Sequence, residues 1–365
     1  MKLRNFRLRI LDRYIIKKFI GTYFFMLLII ICITIIFDLS EKLDGFVKNE
    51  APVKAIIFDY FLNFIPYFIN MFSPMFVFVT VIFFTSKLAT KSEIIAMLSG
   101  GISFSRLLVP YLISAAIIAM FSLALNLYVI PPANKNRLVF ENKYVRQKDF
   151  ARTKDFHYQL SPGKLLYIER FNRRTNTGYN FTLEEIESNR IVSKLTAETA
   201  VWDSLKGVWN LSDWFIREYD DINETITKGK QLDTLIDLTI DDLYLKSSSF
   251  QSMTQSELNK TIETQKIRGD DLIKYSLIEK NTRYAVPFST FILTIMGLSL
   301  SSKKRRGGLG LNLGVGIALS FTYILFLRFS QMFVHTETLS PALALWLPNI
   351  IFGVITIFLY RIAPK

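Results

Sequence analysis

Cysteine is nearly absent: the 365 residues contain one, Cys32. A single thiol excludes disulfides within the chain, so each part must be held by its own packed core. Cys32 follows Ile31 rather than a small residue, so lipidation is not expected. Histidine is almost as scarce, with only His157 and His335. Two histidines without companion cysteines argue against a histidine-based metal site, and neither stands in a recognisable nucleophile triad. No G-x-x-x-x-G-K-[ST] segment occurs, which excludes a P-loop for ATP. Acids are sparse in the long apolar runs, where Asp59 stands nearly alone. A membrane-embedded hydrolase or transferase would need converging catalytic groups there. Carboxylate pairs such as Asp220-Asp221 and Asp241-Asp242 lie in polar sequence, where a solvated surface is their ordinary use. Neither intrinsic catalysis nor a cofactor is expected.

What the chain has in abundance is apolar length. Half of it is apolar, and phenylalanine alone contributes 32 residues. Long runs cover roughly 17–37, 55–86 and 107–130, then 284–300, 308–334 and 342–360, on either side of about 150 polar residues. Each run meets or approaches the about 20 residues that a helical bilayer crossing requires. The first is too long for a signal sequence, lacks a small-x-small cleavage site and runs into Asp38, so it reads as a retained span. The sequence therefore predicts a polytopic α-helical membrane protein with six transmembrane helices and an inserted extracytoplasmic domain.

The net charge of +13 is not a nucleic-acid signal. Residues 131–282 hold 23 basic and 23 acidic side chains, leaving 21 basic against 8 acidic around the spans. The excess is alternate. Lys2, Arg4, Arg7, Arg9, Arg13, Lys17 and Lys18 stand before or at the very start of the first run; Lys87, Lys91 and Arg106 join the second to the third. Lys303, Lys304, Arg305 and Arg306 join the fourth to the fifth, and Arg361 and Lys365 follow the last. The other connections are mixed or nearly uncharged. By the positive-inside bias, both termini are cytoplasmic and the insert lies outside.

The second run contains Asp59, Asn63, Pro66, Asn70 and Pro74 and is too long for one straight crossing. An outer interfacial portion followed by a proline-kinked crossing is expected. Its polar residues either face a cavity or hydrogen-bond neighbouring helices. Gly310 and Gly314 form a G-x-x-x-G spacing, read as a place for close helix packing.

The insert reads as antiparallel β-structure, a sandwich or jelly roll. Leu165–Ile168, Phe181–Ile186, Ile191–Val201 and Val208–Ile216 are short apolar or alternating runs. Ser161-Pro162-Gly163, Asn176-Thr177-Gly178, Ser188-Asn189 and Lys206-Gly207 supply the turns. The alternation in 191–201 is imperfect. Thr254-Gln255-Ser256-Glu257 is a capping box, followed by Leu258, Ile262 and Gln265 at helical spacing. The predicted divisions are 1–130 with three spans, 131–250 as the β-domain, 251–282 as a connecting helix, and 283–365 with three spans.

The connection between the second and third runs holds Ser92-Glu93-Ile94-Ile95-Ala96-Met97-Leu98, a short amphipathic helix stopped by Ser99-Gly100-Gly101. It could fit a groove on a soluble partner, or it could only turn the chain around.

At these residues the chain resembles the LptF/LptG (YjgP/YjgQ) lipopolysaccharide-export permeases, subunits of an ABC transporter. The resemblance runs from Leu11-Asp12-Arg13-Tyr14-Ile15 through Ser92-Glu93-Ile94-Ile95-Ala96-Met97 and Gly100-Gly101-Ile102-Ser103. It continues in Val129-Ile130-Pro131, Tyr284 with Pro287, Ser289-Thr290-Phe291, and Gly307-Gly308-Leu309-Gly310. It implies an extracytoplasmic β-jelly roll and a non-catalytic subunit in the bacterial inner membrane. It also implies pairing with a second related permease on a cytoplasmic ABC ATPase dimer. The lipopolysaccharide taken from the membrane then passes to a periplasmic bridge of similar β-structure. By the same resemblance, Ser92, Glu93, Ile94, Ala96, Met97, Gly100 and Gly101 form the ATPase-coupling helix, with Glu93 facing a basic residue of the ATPase. Family members place basic residues near the outer end of the first span and after the third to meet lipid A phosphates. Here these are Lys42, Lys135, Arg137 and Lys143, with Asp38 and Glu41 nearby to repel phosphate unless paired. The alternative is an ATPase-coupled signalling or mechanotransmission protein. A route lined by Asn63 and Asn70 would favour transport, and a tightly packed bundle would favour signalling.

Overall fold

The computed structural model describes residues 9–145, 154–172, 175–188, 190–204, 206–220, 223–236, 238, 247–270, 272–303 and 308–363. Lys2, Arg4, Arg7, Lys304, Arg305, Arg306, Lys365, Gly307, the turn residue Asn189 and the carboxylates Asp221, Asp241 and Asp242 lie outside the described residues.

The chain begins with α1 (Ile10–Lys48), α2 (Val53–Thr90), α3 (Glu93–Ser99) and α4 (Phe104–Tyr144). Strands β1 (Lys154–Ser161), β2 (Lys164–Asn172), β3 (Thr177–Glu187), β4 (Arg190–Asp203), β5 (Val208–Asp220) and β6 (Asn223–Thr234) follow. The chain closes with α5 (Gln255–Arg268), α6 (Ile273–Ser301), α7 (Gly308–His335) and α8 (Pro341–Ile362). Helices α1, α2, α4, α6, α7 and α8 are each long and apolar enough to cross a membrane. The fold class is the expected one: six spanning helices with an antiparallel β-domain inserted between the third and fourth. The described residues fall into two compact units, one of the bundle helices with 251–255, the other of the strands with 256–276.

At 1.5 Å per residue, the 39 residues of α1 extend about 58 Å, well beyond the about 30 Å hydrocarbon core. It is thus longer than one crossing requires, and polar residues stand at both its ends. α2 is continuous, with a π-helical stretch at Ile56–Phe61 near its start and Pro66 and Pro74 within it. α4 widens in the same way at Leu125–Val129, directly before Pro131 and Pro132. Proline removes a backbone donor, and a widened turn relieves the resulting mismatch. The helix then continues to Tyr144, so residues 131–144 extend the third span and the strands begin at Lys154 rather than near 131.

Polar residues in the spans clasp helices together. Asn70 of α2 donates to Asn126 Oδ1 of α4 at 2.8 Å and accepts from Ser122 at 2.6 Å. Asn63 bonds only locally, to the Phe58 and Asp59 carbonyls. Tyr323 of α7 donates to Asn349 of α8, whose amide reaches the Ala285 carbonyl of α6. Close approach is granted by glycines other than the expected pair. A Cβ on Gly297 would lie 2.9 Å from Val81, and one on Gly316 would lie 2.6 Å from Ile82. Gly310 and Gly314 have nothing within 4 Å of that position. Their spacing puts them together on one helix face, and none of the described residues covers them there.

The six strands form one antiparallel sheet with sequence neighbours adjacent, β1 to β6. Its core is built from Phe156, Ile168, Phe181, Leu195, Ala200, Trp209 and Leu211, among others. The imperfect alternation has a structural cause. Core residues change parity partway along β2, β4 and β5: Leu166 and Ile168 give way to Phe171, Leu195 and Ala197 to Ala200, and Trp209 and Leu211 to Trp214. The change falls at Glu169, Glu198 and Asp213, which the register aligns in one transverse row with Asp155 and Asn180. Asp155, Asn180 and Asp213, on alternate strands, have positive φ. A left-handed residue rotates the strand, and matching it across neighbours keeps the pairing register intact. Val201, beyond the change, accordingly points outward and is exposed.

Asp213 is a direct test of this row. Asp213→Val is expected to cost about 1–2 kcal/mol, since a β-branched side chain opposes the left-handed region, whereas Asp213→Gly is expected to be near neutral. Thermal unfolding of the full chain, followed by its β-sheet circular dichroism, measures both.

The sequence runs matched β2 to β5 and missed β1 and β6. β6 is polar and largely exposed along its length, so it carries no apolar period. The turn assigned to Asn176-Thr177-Gly178 sits at Thr175-Asn176, with Thr177 and Gly178 already paired in β3. The capping-box helix is present as α5: Leu258, Ile262 and Gln265 are its buried face, and Gln265 accepts from Ser276 at 2.6 Å.

Candidate functional site

Chemistry-bearing residues gather at the two ends of α1. At one end is α3, joined to α2 through Ser92, whose φ of 62° is left-handed, and to α4 through Gly100 and Gly101, the latter at φ 83°. The predicted residues divide by what they face. Ile94 is 1% exposed and, with Met97, packs into the core formed by α1, α2 and α4. Ser92, Ala96, Gly100 and Gly101 are exposed. Ile95, not among the predicted residues, is 49% exposed and shares its helix face with Ser92, Ala96 and Ser99. Ile95 and Ala96 thus leave a small exposed apolar patch on a short helix, flanked by an acid. Its signal was in the sequence: Ile94 and Ile95 are adjacent, so they cannot both face the bundle.

Glu93 does not stand alone. The Tyr14 hydroxyl of α1 donates to its Oε2 at 3.2 Å. Thirteen residues beyond Glu93, Arg106 forms a two-pronged ion pair with Asp12 of α1, at 2.8 and 2.6 Å. Neither contact was legible from spacing, since the partners lie 79 and 94 residues apart.

At the far end of α1, the structure brings Lys42 and Arg137 to one aromatic platform. Lys42 stands over the Tyr60 ring at 4.7 Å and the Phe64 ring at 5.9 Å; Arg137 lies 6.0 Å from Phe64 and 5.1 Å from Tyr67. Each cation has a carboxylate one helical turn away. Lys42 bonds Asp38 at 2.8 Å, and the Tyr60 hydroxyl both meets Lys42 and donates to Asp38. Arg137 faces Glu141 at 3.6 Å. Asp38 is thus paired, as phosphate binding would require. Lys135 and Lys143 are exposed on α4, and Lys143 lies over Tyr144 at 4.9 Å. They do not join the cluster. The rings were the unrecognised part of this site.

A third polar centre surrounds Arg283 of α6, which is 1% exposed. Its guanidinium bonds Glu279 at 2.9 Å, the Met253 carbonyl at 2.8 Å and Gln255 Oε1 at 3.3 Å. Asn134 of α4 donates to the Gln251 carbonyl at 3.3 Å. Residues 251–255 are thereby fastened to the bundle from two helices.

Comparison with known proteins gives two findings. The family model described as "Lipopolysaccharide export system permease LptF/LptG" matches residues 13–362. An uncharacterized protein of Aquifex aeolicus (strain VF5) is 24% identical over 261 residues, covering 68% of this chain and 70% of that protein.

Proposed function

This chain belongs to the LptF/LptG family of lipopolysaccharide export system permeases, and from that premise we propose that it is the membrane subunit of an ATP-driven exporter. It takes lipopolysaccharide from the inner membrane and passes it through the inserted domain to a periplasmic bridge of similar β-structure. Both termini lie in the cytoplasm and the inserted domain in the periplasm. A separate cytoplasmic ABC ATPase dimer supplies the energy, and a second related permease completes the transmembrane part. The observation that carries this reading is the extent of the family match, which spans both sets of helices and the insert.

The coupling residues act in two ways. Ile94 and Met97 hold α3 to the bundle, while Glu93, Ser92, Ile95 and Ala96 meet the ATPase and Gly100 and Gly101 let the helix end sharply. Glu93 pairs with a basic residue at the rim of that contact, where a charge pair sets orientation and register more than affinity. At the outer end, Lys42 and Arg137 meet lipid phosphates, with Lys135 and Lys143 further along α4. Because Asp38 and Glu141 already neutralise the first two, phosphate must share or displace those carboxylates. That favours transient contact over tight retention, as a transport route needs.

Crosslinking in cells tests the reading. A photoreactive residue at Ile95 is expected to capture an ATPase, and one at Leu195, which faces the sheet core, to capture lipopolysaccharide. Capture of an ATPase without lipid at Leu195 or at other core positions would move the protein to a signalling role. Capture of neither would remove the proposal.

A further inference from the structure

Two side chains of the segment Leu11-Asp12-Arg13-Tyr14-Ile15 bracket α3. Tyr14 reaches Glu93, the first residue of α3. Asp12, itself 2% exposed, takes both prongs of Arg106 in the first turn of α4, just beyond the Gly100-Gly101 stop. Asp12 also accepts the Arg9 backbone N–H at 2.8 Å, which closes the start of α1. Apart from the packing of Ile94 and Met97, α3 is otherwise joined to its neighbours by a left-handed serine on one side and two glycines on the other. Such joints absorb displacement.

We propose that Asp12, Tyr14 and Arg106 are positioning residues that bind α1 to both flanks of the α3 turn, Tyr14 at the first residue of α3 and Asp12 at Arg106 in the first turn of α4, making α1 the rod that carries the ATPase stroke outward. The inference rests on the reading of α3 as the ATPase contact. A forked arginine–carboxylate pair fixes orientation as well as distance, so α1 and the start of α4 move together, while Tyr14 and the buried Ile94 pass movement of α3 to α1. α1 suits this task. It contains no proline, whereas α2 and α4 both carry prolines and a widened π-helical stretch. It also runs from Asp12 to Lys42, about 45 Å at the helical rise, and so ends on the platform of Tyr60 and Phe64. A push on α3 therefore reaches the basic cluster through one uninterrupted helix.

The test uses the full chain assembled with its ATPase and second permease in proteoliposomes containing lipopolysaccharide. Three quantities are read: ATPase copurified, ATP hydrolysed, and lipopolysaccharide released per ATP. Asp12→Asn is expected to keep the first two and to lower release per ATP about tenfold, the size of an ordinary coupling between sites. Arg106→Lys, which keeps the charge but loses the fork, is expected to fall between, and Tyr14→Phe to act in the same direction with a smaller effect. Unchanged release per ATP in Asp12→Asn would overturn the strap. Loss of the ATPase from both Asp12→Asn and Arg106→Lys would also overturn it, since the pair would then serve only folding. Glu93→Ala separates the two levels. If it sheds the ATPase, the coupling reading stands whatever Asp12→Asn does; if it retains a fully active ATPase, that reading fails and the strap with it.

Discussion

Arg283→Met is expected to destabilise the membrane unit by about 3–5 kcal/mol, the usual cost of removing one partner from a buried ion pair. The side chain is almost fully buried, and its acceptors include Glu279, Gln255 and the Met253 carbonyl. Methionine fills similar space but leaves the Glu279 carboxylate without its cation and the Met253 carbonyl without that donor. Much of the loss therefore belongs to orphaned groups rather than to missing contacts. Adding Glu279→Gln should restore a measurable part, because the uncompensated charge is then gone. Thermal unfolding of the wild type, both single variants and the double variant in detergent micelles completes the cycle. If the double variant were no more stable than Arg283→Met, the ion pair would not be the source of the effect. Arg283→Lys keeps the charge but cannot span all three acceptors, so it should fall between. Hydrogen exchange at 251–255 should rise in each variant, since Arg283 and Asn134 hold that segment.

Ile95→Asp is expected to weaken ATPase binding about a hundredfold while leaving the melting temperature unchanged. A central apolar anchor in an interface contributes about 2 kcal/mol or more, and a buried charge without a partner would be worse than no anchor. The neighbouring residue gives the control. Ile94 is buried in the bundle, so Ile94→Ala should cost about 2–5 kcal/mol of fold stability. Adjacent isoleucines thus separate docking from packing. Surface plasmon resonance of the ATPase on nanodisc-held chain, with a melt of each variant, distinguishes them. Equal ATPase binding by Ile95→Asp and wild type would move the contact elsewhere.

The sequence alone determined the features that depend on local composition. Six apolar runs fixed the number of spans, because a bilayer accepts only helices of that length with satisfied backbones. The interrupted distribution of charge marked the inserted domain. Turn residues and alternation located β2 to β5, while Gly100 and Gly101 ended α3 where expected. The polar, edge-lying β6 left no such signal. The parity change in β2, β4 and β5 shows in the sequence only as imperfect alternation, because one strand cannot reveal that its neighbours turn at the same level. Tertiary structure decided which distant side chains meet. Asp12 with Arg106, Tyr14 with Glu93, and Lys42 with Arg137 across one aromatic platform join helices separated by long stretches of chain. It also decided that Gly297 and Gly316, rather than Gly310 and Gly314, take the close crossings. Spacing says which residues share a helix face; only the packed bundle says what that face meets.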